Sequence, residues 1–406
     1  MTIKNIIINK TNNVSVNSTC PLLFVNITFK QIQFIYNRGY LINLLKFMEI
    51  IININFIKKK VKKSKIVLIL MVLIIIGSFF KLRFGNIQDS TSQPEFQPEK
   101  INLFNKNSYN NKLKDKLIEI LKIEIPETNP KVINISSINK NEYEEKKILI
   151  ETLESNSNPA YLLIPKNIEF PAPAIIVMHR NDGLYDYGKE EPVGNIGKSD
   201  KFYAKDLVKR GYIVLVMDSQ FFGENTVVDF FNQKQKQEAL ELLSKKISPI
   251  SLIIKDDLSS LNYLSSLDIV DKNNIGCIGH SFGGVRCMYL SALDQRIKAV
   301  VLSDSVANIE SEIEETNHNN LFTTIPGISK YTETSGILSL IAPRNLMIIY
   351  SNNKDYPKEQ ALLQLQTIKK VYSKLFKVSN LVSLEIIEFN RNDKAYNFLD
   401  KNLKNN

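Results

Sequence analysis

The sequence predicts an α/β protein with a doubly wound, mostly parallel sheet, preceded by one N-terminal transmembrane helix. Two observations carry the fold class. Short unbroken apolar runs recur from Ala174 onward, as expected of strands covered on both faces, and stretches with helical spacing separate them. A third observation carries the membrane helix. Ile66–Phe80 is fifteen uncharged residues, or nineteen positions when counted through Lys81, Leu82, Arg83 and Phe84, whose two basic side chains can snorkel.

From the N-terminus, residues 1–57 are rich in Ile, Asn and Lys without a period. They read as a leader, either disordered or untranslated, since Met48 would open a short basic region before the apolar run. Residues 58–85 hold the anchor and its basic flank. Six lysines between Lys58 and Lys65 precede the run and two basic residues follow it, which places the N-terminus in the cytoplasm and the rest outside. Gly77-Ser78-Phe79-Phe80 is a poor cleavage site, so a retained signal anchor is expected. Residues 86–129 read as a linker that ends in a short amphipathic helix, Lys112–Ile123.

Residues 130–406 form the expected globular domain. Lys147–Thr152 and Ala160–Ile164 predict an antiparallel hairpin. The runs Ala174–Met178, Tyr212–Met217, Ile275–Ile278, Ala299–Leu302, Leu346–Tyr350 and Val382–Phe389 predict the remaining strands. Helices are expected at Lys201–Lys209, Asp256–Leu267, Val285–Leu293, Glu359–Leu375 and Asp393–Leu403.

The charge follows the same division. Of the net +10, residues 1–85 carry 13 Lys/Arg against Glu49 alone, a net of +12, which leaves −2 for the rest. The excess flanks the apolar run, so a nucleic-acid partner is not expected and a membrane is. The three cysteines make no disulfide framework, and Cys277 and Cys287 read as buried, inert thiols. With no C-x-x-C pair and no His cluster, neither a metal nor a cofactor is expected.

The chemistry concentrates at Gly279-His280-Ser281-Phe282-Gly283-Gly284, which follows one predicted strand and opens a helix. A nucleophilic serine there needs a turn so tight that the positions two before and two after carry no side chain. The new helix then presents its N-terminal N–H groups to a developing oxyanion. The candidate donors are the backbone N–H of Phe282 and, from the loop after Met178, that of Arg180. His179, in the same loop, reads as an anchor and as a possible pocket residue or substitute base. His280 must point away from the Ser281 Oγ.

Together these segments resemble the dienelactone-hydrolase and acetyl-xylan-esterase-like branch of the α/β-hydrolase superfamily. The resemblance rests on Pro173–His179, on Ala204–Asp218 with Phe222-Gly223-Glu224, on Val270–Gly284, on Leu293–Ala299 and on Ile341–Leu346. It covers roughly residues 130–403 and implies ester hydrolysis by a Ser–Asp–His triad. The acid maps onto Asp355, beyond the strand ending at Tyr350, with Asp304 as the alternative. The triad histidine does not map. The segment Ile387–Asp400 keeps Phe389, Ala395-Tyr396 and Phe398-Leu399-Asp400 in place, but Ile387 stands at the histidine position. No histidine follows His318, which lies in the excursion between Asp304 and Ala342 and is the other substitute base. Two functions are therefore expected as rivals. One is a serine hydrolase of small acyl or sugar esters, impaired by Ile387. The other is a catalytically inactive hydrolase fold that binds a ligand at the cell surface.

Overall fold

In the computed structural model the described residues are 6–8, 13–16, 26–28 and 106–404, apart from 153–156, 182, 184, 227–232, 308, 310–319, 351–357, 379–380 and 387–390. Two compact units divide the chain after Pro98. In the first, β1 (Ile6–Ile8), β2 (Asn13–Val16) and β3 (Asn26–Thr28) pair as an antiparallel sheet. The expected membrane span, residues 66–84, lies outside the described residues. Among the described residues no helix is long and apolar enough to cross a membrane.

The second unit begins with α1 (Lys106–Leu121). The sequence suggested a linker helix, but Leu117 and Leu121 are buried in the main core. Three antiparallel strands follow: β4 (Val132–Asn139), β5 (Tyr143–Ile150) and β6 (Asn158–Pro165). Next come β7 (Ala172–Met178), α2 (Glu190–Val193), α3 (Tyr203–Lys209), β8 (Ile213–Met217), α4 (Gln233–Ser244) and α5 (Pro249–Ser266). Ser281 joins β9 (Val270–His280) to α6 (Phe282–Leu293), and β10 (Ile297–Ser303) and α7 (Thr334–Ser339) follow. The chain closes with β11 (Asn345–Tyr350), α8 (Lys358–Val371), β12 (Val382–Ile386) and α9 (Arg391–Leu403).

The nine strands form one sheet in the order β12-β11-β10-β9-β7-β8-β6-β5-β4. Every pair from β12 to β8 is parallel and the β8–β6 pair is antiparallel. The parallel strands are apolar on both faces because both are covered. Ala174, Ile176 and Cys277 point into a core shared with α1, α5, α6, α7 and α8, and Ile175, Val177 and Ile278 into one shared with α3 and α9. After β7 the chain moves to β8 on one side, then crosses back to β9 on the other. The carboxyl ends of β7 and β9 thus flank a topological switch point, where open α/β sheets hold their ligands.

One expectation about the core is corrected. Cys277 and Cys287 are not free thiols: they form a disulfide joining β9 to α6, with a Cα–Cα distance of 5.9 Å.

Candidate active site

Ser281 sits between β9 and α6 with φ 53° and ψ −123°, a conformation that costs an L-residue about 1–3 kcal/mol. The surroundings hold it there. Its N–H donates to the Ser303 carbonyl at 2.8 Å, and its own carbonyl accepts from Gly284 at 2.9 Å and Val285 at 3.2 Å. The two glycines of the motif are required by contact. A Cβ on Gly279 would stand 2.2 Å from the Gly283 carbonyl oxygen, and one on Gly283 would stand 2.2 Å from that of Met178. The backbone at the end of β7 therefore lies directly against the first turn of α6. That contact brings the loop carrying His179 and Arg180 beside Ser281 and Phe282.

Phe282 is the first residue of α6, so its N–H has no acceptor within the helix. The Arg180 guanidinium is held by Glu191 through two contacts of 2.7 Å, which orients the residue whose backbone N–H the site would use. The same loop is pinned from below by a cluster not singled out in the sequence. Lys189 and Asp218 are both fully buried, with Nζ 2.8 Å from Oδ2. Asp218 also accepts from the Lys189 N–H at 2.7 Å and the Glu224 N–H at 3.0 Å, while Glu224 itself ion-pairs with Lys189. Asp218 and Glu224 belong to motifs that carried the family resemblance. Lys189 carried no signal, because a buried lysine is invisible in a solvated-looking loop sequence.

Of the two substitute bases named from sequence, His179 is removed by its geometry. Its Nδ1 lies 2.9 Å from the Arg180 carbonyl, and its Nε2 accepts the Ser219 N–H at 3.1 Å. Burial and the nearby Arg286 charge push its pKa down to about 3. His280 is likewise committed. Its Nδ1 is 3.3 Å from the Ser303 Oγ and 3.4 Å from the Asp304 Oδ2, and burial together with the Arg180 charge lowers it to about 4. Asp304 has φ 47° and donates its N–H to the Ile349 carbonyl at 2.9 Å, at the root of the segment that bears Asp355. Asp355, His318 and Ile387 lie outside the described residues.

Aromatic side chains wall the site beside Phe282. Phe222 lies 4.9 Å from Phe282 and 5.2 Å from both Tyr185 and Phe322 between ring centroids. The arrangement combines a strained serine turn, the N-terminus of a helix and an apolar wall.

Comparison with known proteins agrees with this geometry. A model described as "Abhydrolase family" matches residues 87–357. The chain is 30% identical over 249 residues to "Putative hydrolase YtaP" of Bacillus subtilis (strain 168), covering 58% of this chain and 79% of that protein. Among solved structures, one titled a putative acetyl xylan esterase, from Bacteroides fragilis, superposes with a TM-score of 0.59 at 22% identity, covering 71% of this chain and 77% of that one. A glucuronoyl esterase from Solibacter usitatus superposes with a TM-score of 0.52 at 14% identity, over 72% and 92%. With the serine turn, the switch-point sheet and the sequence match in agreement, the chain belongs to the α/β-hydrolase family.

Proposed function

We propose that the chain is a serine-dependent hydrolase of carboxylic esters, small acyl or sugar esters, with an impaired proton-transfer step. The observation that carries this reading is Ser281 in its strained turn at the end of β9. In the proposed reaction the Ser281 Oγ attacks the ester carbonyl, and the N–H groups of Phe282 and Arg180 receive the oxyanion. The tetrahedral species collapses to an acyl-enzyme with loss of the alcohol, and water completes hydrolysis. Asp355 is proposed as the acid that orients the base, with Asp304 as alternative. The base is the weak part. Ile387 stands at the histidine position, and of the chain's three histidines only His318 is left to serve. The proposal is tested by labelling with a fluorophosphonate and by turnover of an activated ester. Covalent labelling lost in Ser281→Ala supports it; a wild-type protein that neither labels nor turns over ester sinks it.

Ile387 favours a second reading, a catalytically inactive hydrolase fold that binds its ligand without cleaving it. Saturable binding of an ester with no labelling of Ser281 would select this alternative.

We also propose that the domain is anchored to a membrane by residues 66–84 with its sheet outside the cytoplasm. The lysine block before the apolar run supports this. So does the Cys277–Cys287 bridge, since such bonds persist in oxidising compartments. Protease applied to intact cells should remove the domain; full protection would overturn the topology.

A further inference from the structure

Cys277 and Cys287 are ten residues apart, and Ser281 lies between them. Cys277 is in β9 and Cys287 in the second turn of α6, so the bridge spans the strand-to-helix junction on the side opposite His280. Both half-cystines are fully buried. The closed loop thus contains the whole turn: Gly279, the strained Ser281 and the Phe282 N–H.

A turn held at a positive φ by a non-glycine residue relaxes unless its ends are fixed. Here one end is fixed by the sheet and the other by α6, and the bridge is the covalent link between them. Helix α6 could otherwise slide along the sheet, carrying the Phe282 N–H away from the position of the oxyanion. Displacements of about 1 Å in such a donor cost on the order of 100-fold in rate.

We propose that the Cys277–Cys287 disulfide is a positioning element for Ser281 and Phe282, making nucleophile competence depend on an oxidised protein. The inference rests on the hydrolase reading for its kinetic consequence. Reduction by a dithiol transfers two electrons and two protons to the bridge. Two thiols form, and the reductant closes to its own disulfide. The elbow keeps its sequence but loses the link between its ends.

The test uses the full chain in three forms: oxidised, reduced with excess dithiothreitol, and Cys277→Ala/Cys287→Ala. Two readouts are taken, the rate of Ser281 labelling by a fluorophosphonate and amide hydrogen exchange of the segment 278–286. Relative to the oxidised protein, the other two forms should label at least about tenfold more slowly. Their kcat on an activated ester should fall with little change in KM, and exchange of the segment should rise at least about tenfold while far-UV circular dichroism is kept. If the alanine pair does not fold, the reduced native protein carries the comparison. Unchanged labelling and exchange with only a lower melting temperature would overturn the proposal, leaving the bridge a mere staple. Three alkylatable thiols in the denatured, unreduced protein, in place of Cys20 alone, would overturn it as well. An oxidised protein that never labels sinks the hydrolase reading instead, and exchange of the segment then decides the positioning role alone.

Discussion

The His179 ring is tied to the neighbouring strand by Ser219, whose backbone N–H donates to Nε2 at 3.1 Å while Nδ1 faces the Arg180 carbonyl at 2.9 Å. An acceptor at Nε2 and a donor at Nδ1 describe one neutral tautomer. That tautomer spans the gap between the loop after β7 and the end of β8. It fixes the backbone of Arg180 from beneath, and it removes the ring from proton transfer. A residue that sequence alone could place either in the chemistry or in the scaffold is thereby scaffold.

The first prediction follows from the protonation of that ring. Burial lowers His179 to about 3 and His280 to about 4, from an ordinary 6.5. Between roughly pH 6.5 and 4 the unfolded chain therefore binds protons that the folded one refuses. The stabilisation is complete above pH 6.5 and is lost as pH falls, by roughly 1.4 kcal/mol per pH unit for each ring. Asp256 acts in the opposite sense, because burial raises it from 3.8 to about 6 and the folded form takes the proton first. It offsets about one ring between pH 6 and 4. Denaturant unfolding of wild type and His179→Gln at pH 6.5, 5.5 and 4.5 should show a slope smaller by about one proton in the variant. Equal slopes would mean that the ring titrates normally in the fold.

A second prediction concerns Asp257 and Arg286, both fully buried, which pair at 2.6 Å and 3.1 Å across α5 and α6. Arg286→Met leaves an uncompensated carboxylate in the core and should cost about 3–5 kcal/mol in urea unfolding. The double variant Asp257→Leu/Arg286→Met should recover most of that loss, because neither charge is then stranded. A single variant within about 1 kcal/mol of wild type would show that water reaches the pair.

Much of this architecture was legible in the sequence, and the exceptions have physical reasons. Strands β7 to β11 were visible because burial on both faces leaves unbroken apolar runs, and the serine turn because its glycines admit no substitute. β4 was missed because Val132–Asn139 is an edge strand exposed almost throughout, so its short Ile133-Asn134-Ile135-Ser136 alternation marks no buried face and breaks at Ser136-Ser137. Helix α5 begins at Pro249, seven residues before the predicted start, since Pro at the first turn and a run of buried Ile look like a loop followed by a strand. The bridge between Cys277 and Cys287 was missed because two buried cysteines in adjacent elements read the same whether reduced or joined. Lys189 and Arg286 were missed because pairing, which alone makes a buried charge tolerable, is a tertiary fact.

A third prediction tests the close contact between the two loops of the site. A Cβ on Gly283 would stand 2.2 Å from the Met178 carbonyl oxygen and 2.8 Å from that of His179, both backbone atoms with little room to yield. Gly283→Ala should push α6 away from β7 and separate the Phe282 and Arg180 N–H groups. Fluorophosphonate labelling of Ser281 should drop on the order of 100-fold. Labelling at the wild-type rate would show that the oxyanion donors do not depend on this contact.

The last prediction concerns the missing base. With His179 and His280 both committed to scaffold contacts, the proton of the Ser281 hydroxyl has two remaining routes, His318 or water. If water is the route, turnover of an activated ester should be weak, in the range of about 10³–10⁴-fold over the uncatalysed reaction that serine hydrolases keep when a triad member is lost. His318→Ala should then change little, whereas Ser281→Ala, which removes the attacking oxygen, should lower turnover to what the oxyanion donors and binding alone supply. Ile387→His should raise turnover and introduce a dependence on a group of pKa near 6.5, because a histidine there would meet the acid and the serine that the rest of the constellation supplies. Steady-state rates of the four proteins across pH 5 to 8 decide the matter. Strong wild-type turnover abolished by both Ser281→Ala and His318→Ala would instead make His318 the base. Strong turnover that survives His318→Ala would refute His318 as the base, and His179, held through both ring nitrogens, could not replace it.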